Sequence, residues 1–305
     1  MRHILNTNQF SKKEVEQILA SAEKMEKECQ SGKIKKLLEN KIIACVFFEP
    51  STRTRLSFET AALKLGANVI SVENARNNSS AFKGESIEDT ARMLCCYADA
   101  IVIRHYQSGT ADAAAKVSTK PILNAGDGTN QHPSQALLDL YTIKKEHGRL
   151  NNLSVAFVGD LLNARPLHSL LPLLLMYPGN KFYFVSPQEL KLPKTYISEL
   201  KKKKVFFEEI ENLEEILPKV DVLYMTRVQK ERFSEIKDYE KVKNIYILKR
   251  EHLKTMKKEA IIMHALPRIN EIDSQIDQDL RAAYFRQAQN GLYVRMALLI
   301  YSLNL

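Results

Sequence analysis

Cysteine is scarce in this chain and poorly placed for the work cysteine usually does. Among 305 residues there are 4. Cys29, Cys45, Cys95 and Cys96 follow neither a disulfide framework nor a metal-ligand spacing. Reduced thiols in a cytoplasmic protein are therefore expected, and no zinc centre. Long hydrophobic runs are missing too. The most apolar stretch, Leu167 to Tyr177, is broken by Ser169 and Pro172 and is too short to span a bilayer. Met1-Arg2-His3-Ile4-Leu5-Asn6 lacks a signal-peptide core. Neither a membrane role nor secretion is expected. Low-complexity segments are also absent, and 45% hydrophobic content over this length can bury a large core, expected as two domains.

Acidic residues are outnumbered by basic ones, giving a formal charge of +9. The densest basic run, Lys201-Lys202-Lys203-Lys204, lies between Leu200 and the apolar Val205-Phe206-Phe207, where a solvated helix end accounts for it. No basic stripe alternates with aromatics, so no nucleic-acid partner is expected. A positive field suits small anionic substrates equally well.

Short β-rich runs recur along the chain: Ile42–Phe48, Val69–Val72, Ala100–Arg104 and Pro121–Asn124, then Ser154–Val158, Lys181–Val185, Val205–Phe207, Val220–Met225 and Ile261–His264. Helical patterns such as Ile87–Tyr97 fit between many of them. This alternation predicts an α/β protein of two domains, each a mostly parallel sheet flanked by helices. In such open sheets ligands bind beyond the carboxyl ends of strands. The polar residues cluster there: Ser51-Thr52-Arg53 after the first run, Arg104-His105 at the third, Gly159-Asp160, Thr226-Arg227 and His264 at later ones. Ser134 to Glu146 reads as a helix ending at Gly148, followed by a linker, Arg149-Leu150-Asn151-Asn152. A last helix runs from Gln287 to Leu303.

The most telling stretch is Ser51-Thr52-Arg53-Thr54-Arg55. Glu49-Pro50 stop the strand before it, Ser51 is a good N-cap, and Gly66 ends the helix that follows. Hydroxyls and guanidinium groups then surround a helix N-terminus, whose free N–H groups and dipole favour an anion. Two Arg residues in a first turn are unfavourable there unless an anion joins them, which predicts a phosphate site. Asn130-Gln131-His132-Pro133-Ser134-Gln135 adds an imidazole and an amide three residues apart, suited to a bound carbonyl. Arg165, Arg227 and Gln229 lie after two further strand ends, where two separated cations suit a substrate with two carboxylates.

Phe48-Glu49-Pro50-Ser51-Thr52-Arg53-Thr54-Arg55, His132-Pro133-Ser134-Gln135, Thr226-Arg227-Val228-Gln229 and His264-Ala265-Leu266-Pro267-Arg268 together resemble, in order and spacing, the aspartate carbamoyltransferase family. The likeness runs nearly end to end, as far as Gln287-Ala288-Gln289-Asn290-Gly291. It implies transfer of the carbamoyl group of carbamoyl phosphate to L-aspartate, giving N-carbamoyl-L-aspartate and phosphate, a step of pyrimidine synthesis, with no cofactor and no metal. It further implies residues 1–133 with 287–305 as the carbamoyl-phosphate domain, 134–148 as a connecting helix, and 149–286 as the aspartate domain. Ser51, Thr52, Arg53 and Thr54 would hold the phosphate, while Thr54, Arg104 and His132 polarise the carbonyl. Gln135 and the backbone carbonyls near Ala265 and Leu266 would hold the carbamoyl NH₂. Arg165 would take the aspartate α-carboxylate, and Arg227 with Gln229 its side-chain end. A homotrimer with shared sites is implied, Ser79 and Lys83 reaching from a neighbouring subunit, and a separate regulatory chain is compatible with the family. Two departures stand out: Ala265 replaces a usual Pro, and Asn163-Ala164 precede Arg165 where Gly or Ser is common.

Ornithine carbamoyltransferase is the rival within the same fold. It usually carries a Cys in the late motif and a Ser-Met-Gly element in place of Thr226-Arg227-Val228-Gln229, and Arg227 would repel ornithine's cationic side chain. A non-catalytic scaffold would be expected to lack some of Arg53, Arg104, His132 and Gln135, all of which are present. A dinucleotide-binding dehydrogenase lacks support, since Gly159-Asp160-Leu161 misses the other glycines of the fingerprint.

Overall fold

Two parallel sheets carry the chain, as the alternation of strands and helices predicts. The structure is a computed structural model describing residues 1–233 and 235–305. The first sheet contains β1 (Ile42–Phe47), β2 (Asn68–Glu73), β3 (Ala100–His105) and β4 (Ile122–Asp127), in the order β2-β1-β3-β4. The second contains β5 (Ser154–Val158), β6 (Lys181–Val185), β7 (Phe207–Ile210), β8 (Val222–Met225) and β9 (Ile261–His264), in the order β7-β6-β5-β8-β9. Every pairing within the sheets is parallel. Parallel neighbours need crossovers, which helices supply while covering the sheet faces. They are α1 (Lys12–Ser31), α2 (Thr52–Lys64), α3 (Ala75–Asn78), α4 (Ile87–Cys95), α5 (Thr110–Val117), α6 (Pro133–His147), α7 (Arg165–Leu174), α8 (Lys194–Lys202), α9 (Ile236–Val242) and α10 (Tyr284–Leu303).

Two compact units result. One comprises Met1–Tyr141, His168–Leu173 and Ala288–Leu305; the other comprises Thr142–Leu167 and Leu174–Gln287. Central strands are apolar because both faces are covered: Ile43 to Phe47 in β1 and all of β8 are buried, and the edge strand β9 is buried as well. β2, at the sheet edge, is exposed at Asn68, Ile70, Ser71 and Glu73. The core of the first unit includes Val46, Ile101, Ile103 and Ile122, and that of the second Val158, Leu223, Ile262 and Tyr284. Each such side chain contributes about 1.5–3 kcal/mol on leaving water.

Local chemistry explains most element ends. Gly148 stands at φ 69 just beyond α6, in the left-handed conformation that closes a helix cheaply. β7 begins two residues later than the apolar pattern suggests. Lys203 and Lys204 are still closing α8, with the Val205 N–H donating back to Leu200 O at 3.1 Å, so the extended run starts only at Phe207. α10 starts at Tyr284, three residues ahead of the expected Gln287. Lys201 to Lys204 are exposed, as a solvated helix end requires. No described helix is long and apolar enough to cross a membrane.

Candidate active site

Strand order locates the site before any side chain is considered. In the first sheet the chain steps outward from β1 to β2 and, on the other side, from β3 to β4, so the winding reverses between β1 and β3. In the second it reverses between β5 and β8. Loops part at such reversals and leave a crevice beyond the carboxyl ends of the strands. Ser51–Thr54 follow β1, and Arg104, which stands opposite Phe47 in the register, lies near the end of β3. Arg165 follows β5, and Arg227 with Gln229 follows β8. Most of the polar residues singled out in the sequence therefore sit at the two reversals.

In the first unit the reversal gathers hydroxyls and a cation at a helix N-terminus. Ser51 is the N-cap of α2 in extended conformation, yet its side chain makes no capping hydrogen bond. The hydroxyl therefore leaves the first-turn N–H groups uncapped, the arrangement in which a helix N-terminus favours an anion. Thr52 and Arg53 are exposed and Thr54 is buried. Partial burial, and then the nearby Arg104 cation, lower the Arg53 guanidinium from its ordinary pKa. Among the described residues no carboxylate pairs with Arg53. Two cations in proximity at a helix N-terminus are mutually unfavourable until an anion arrives.

The two Arg residues of the motif have different tasks. Arg55, counted in the sequence argument as a second cation of the first turn, is neutralised: it bonds Glu59 at 3.1 Å and Glu73 at 2.8 Å. Four positions along a helix place Glu59 on the face of Arg55, and the β1–β2 pairing brings Glu73 to it. Arg53 alone of the pair is left for a ligand.

Arg104 is held by a carboxylate that the sequence argument did not single out. Its Nε donates to Glu49 Oε2 at 3.0 Å, and its Nη1 points to Ala125 O at 3.4 Å. Burial lowers its pKa, against the raising field of Glu49. His132 and Gln135 begin α6 and are both buried. The His132 N–H donates to Ser169 Oγ at 2.9 Å, and Ser134 Oγ lies 3.4 Å from its Nδ1. Gln135 Nε2 donates to Asp139 Oδ1 at 2.8 Å, so the amide is anchored from behind.

In the second unit Gly159 ends β5 at φ 113, and a Cβ there would collide with the Thr226 backbone. Its absence lets the ends of β5 and β8 run close. Asp160, fully buried, then ties the two loops together. It accepts from the Asn163 N–H at 2.9 Å, from Asn163 Nδ2 at 3.1 Å and from the Gln229 N–H at 3.4 Å. Burial raises its pKa, with these hydrogen bonds and the Arg227 field acting the other way. Gln229, expected at the substrate, here donates its Nε2 to Asn163 O at 2.9 Å.

The late motif is organised by a buried pair. His264 Nε2 lies 2.8 Å from Glu271 Oε1, and His264 Nδ1 accepts the Leu266 N–H at 2.8 Å. Nε2 consequently carries the ring proton and donates it to Glu271. Glu271 Oε2 accepts the N–H groups of Ile269 and Asn270, both at 3.0 Å. Burial pushes the Glu271 carboxyl up, but the bonds from His264 and the backbone prevail and bring it to about 2. The loop presenting the carbonyls of Ala265 and Leu266 is thus closed on itself, with Leu266 held at φ 56.

Ser79 and Lys83 come from the segment between α3 and α4. Ser79 Oγ donates to Ala75 O at 2.6 Å and accepts the Ala81 N–H at 3.2 Å, and Lys83 is exposed. Among the described residues no group of three or more His, Cys, Asp or Glu side chains could hold a metal. The four cysteines are free thiols, Cys45 being buried.

The chain is similar to known proteins along nearly its whole length. The family model for the aspartate/ornithine carbamoyltransferase carbamoyl-P binding domain matches residues 2–145, and the one for the Asp/Orn binding domain of those enzymes matches 151–302. The chain is 50% identical over 299 residues to the aspartate carbamoyltransferase catalytic subunit of Methanocaldococcus jannaschii, covering 98% of this chain and 97% of that one. A crystal structure of that catalytic subunit superposes with a TM-score of 0.91, over 98% of this chain and 97% of the other. The Trypanosoma cruzi enzyme in complex with carbamoyl phosphate and aspartate gives 0.93 at 36% identity, over 98% and 95%. The chain belongs to the aspartate/ornithine carbamoyltransferase family. Its likeness runs to the aspartate enzymes over nearly its whole length.

Proposed function

We propose that the crevice of the first unit binds carbamoyl phosphate and that of the second binds L-aspartate. The reaction is carbamoyl transfer from carbamoyl phosphate to the α-amine of L-aspartate, giving N-carbamoyl-L-aspartate and phosphate. The observation that carries this reading is the site at the start of α2: first-turn N–H groups, the Ser51 and Thr52 hydroxyls, and Arg53 with no described carboxylate to neutralise it.

Each residue then has a physical task. Ser51, Thr52, Arg53 and Thr54 hold the phosphate, and Arg104 bridges phosphate and carbonyl oxygen. Thr54, Arg104 and His132 stabilise the negative oxygen that develops when the amine attacks. Gln135 and the carbonyls of Ala265 and Leu266 take the carbamoyl NH₂. Arg165 takes the aspartate α-carboxylate, and Arg227 with Gln229 its other end. The amine attacks in its neutral form, the C–N bond forms as the C–O bond to phosphate breaks, and the leaving phosphate accepts the amine proton. Much of the acceleration comes from holding two mutually repelling anions in place. Neither metal nor cofactor enters these steps. Ornithine fits poorly, because Arg227 would face its cationic side chain.

The assembly we propose is a homotrimer in which Ser79 and Lys83 complete a neighbour's site. Supporting it, Ile70 on the edge strand β2, Leu56 and Leu63 on α2, which packs on β1 and β2, and Phe82 after α3 are exposed, Phe82 at 73%. Apolar groups gathered at a sheet edge suit burial against another copy. Lys83 stands beside Phe82 on that surface. A cytoplasmic location, no nucleic-acid or membrane partner, and compatibility with a separate regulatory chain complete the reading. Product formation from labelled aspartate and carbamoyl phosphate, run beside ornithine, tests it; turnover with ornithine alone would overturn it.

A further inference from the structure

Beneath the proposed carbamoyl site lies a buried polar group that the reaction as described leaves unused. Asp139 stands four residues after Gln135, one turn further along α6, and is completely buried. Arg295, on α10, is 3% exposed and packs its guanidinium over the Phe58 ring at 5.2 Å. Its Nε finds no hydrogen-bond partner. Burial, opposed by the attraction of Asp139 and reinforced by repulsion from Arg104, brings its pKa down to about 9. A cation kept buried at that cost within the field of a buried anion calls for a reason.

The reason is in the hydrogen bond between Gln135 and Asp139. An amide side chain is nearly symmetrical in shape, and its NH₂ and oxygen exchange places by a half-turn. An ionised carboxylate can only accept, so the end of Gln135 that meets Asp139 at 2.8 Å must be the NH₂. The oxygen is then turned the other way. An NH₂-bearing acyl phosphate offers donors to that oxygen, and a methyl-bearing one leaves it unpaired.

We propose that Asp139, with Arg295 as its buried counter-cation, is a specificity-determining positioning residue: it fixes Gln135 so that its oxygen selects the carbamoyl NH₂. The Gln287-to-Gly291 segment gains a role as well. A Cβ at Gly291 would collide with Arg295 Nη1 and lie 3.1 Å from Leu138 Cδ2, so the glycine leaves the space that the guanidinium occupies. The inference rests on the placement of carbamoyl phosphate proposed above.

The test compares three ligands by direct binding to the full chain: carbamoyl phosphate, acetyl phosphate, whose methyl replaces the NH₂, and inorganic phosphate, which has no acyl end. Wild type should prefer carbamoyl over acetyl phosphate, because a site built for an N–H rejects an analogue lacking it. Asp139→Asn, close in shape but able to donate as well as accept, frees the amide to turn. It should cut that preference by roughly tenfold or more while leaving inorganic phosphate affinity within about twofold. Gly291→Ala, which leaves Gln135, Asp139 and Arg295 in the chain but displaces the guanidinium, should move the same ratio in the same direction. Should Asp139→Asn fail to fold, Gly291→Ala and Arg295→Lys carry the test; Arg295→Lys keeps the charge and should retain more of the preference than Arg295→Met. Equal loss for all three ligands, or an unchanged ratio in the folded variants, would overturn the proposal. Gln135→Ala with an unchanged ratio would overturn the underlying placement of Gln135 itself, which separates the two failures.

Discussion

Arg53→Ala should separate binding from stability more sharply than any other single change. The side chain is exposed on the first turn of α2, has no described carboxylate partner and is repelled by Arg104. Its loss should therefore change folding stability by no more than about 0.5 kcal/mol, in either direction. A charge-assisted hydrogen bond to an anion is worth about 1.5–3 kcal/mol, which weakens phosphate binding about 12- to 150-fold. Thermal melting reads both quantities at once. At a phosphate concentration one hundred times its dissociation constant, wild type gains about 2.7 kcal/mol, a rise of about 5–10 °C for a unit of 150–250 residues. At the same concentration the variant gains only about 0.3–1.3 kcal/mol, or about 1–5 °C. Turnover with carbamoyl phosphate and aspartate should nearly vanish. A phosphate-induced rise equal to that of wild type would refute the anion site at α2, whatever happened to turnover.

Four further outcomes follow from the same geometry. Arg227→Ala should raise the apparent aspartate KM strongly and disturb carbamoyl phosphate binding much less; equal damage to both affinities would end that division of labour. EDTA should leave the isolated chain active, since no described cluster offers metal-ligand geometry; loss of activity restored by a divalent metal would contradict this. Glu271, held at about 2 in the folded chain, contributes stability that is complete above its unfolded value and is lost as pH falls toward 2. That contribution is on the order of 3 kcal/mol, so Glu271→Gln should be less stable at neutral pH and show a shallower loss in acid, read from urea midpoints across pH; an unaltered slope would remove the His264 pair as its cause. Lys83→Ala and Arg53→Ala proteins, each almost inactive, should regain part of the activity once dissociated and remixed into hybrids verified by mass spectrometry; active-site sharing is abandoned if verified hybrids stay as inactive as their parents.

The fold was legible because each strand of the two sheets announces itself locally. Ser154–Val158, Lys181–Val185 and Ile261–His264 are apolar runs whose bounds match the structure. Where a strand follows a helix closely, as at Val205, the helix end takes the first residues, and hydrophobicity alone cannot show which element claims them. The proposed anion site could be read for a related reason: a strand, a stop and a helix start are consecutive in sequence, so the chemistry of the turn is contained in one short segment. The same reading overvalued Arg55, because Glu73, one of its two partners, comes from the next strand and only the register of β1 with β2 brings it there.

Groups that hold the ligand residues in place were harder to see, and the difficulty follows sequence separation. Glu49 meets Arg104 across 55 positions, and Arg295 comes into the field of Asp139 from the far end of the chain, so neither relation could be inferred without the sheet order and the packing of α10. Separation is not the whole explanation, though. Asp139 is four residues from Gln135 on one helix, a spacing that puts both on the same face, and Glu271 is seven from His264. Both were within reach of a local reading, yet a lone carboxylate beside an apolar stretch is an ordinary feature of any helix or loop. Burial is what distinguishes them. An ionised group that has left water must be answered by a donor or a cation. Once the structure shows Asp139 and Glu271 buried, the partners of each become a constraint on a residue proposed to face the substrate: the amide of Gln135 in one case, the carbonyl of Leu266 in the other. In each unit a buried carboxylate thus limits the freedom of its neighbours, the Gln135 amide through Asp139 and the Leu266 loop through Glu271 and His264.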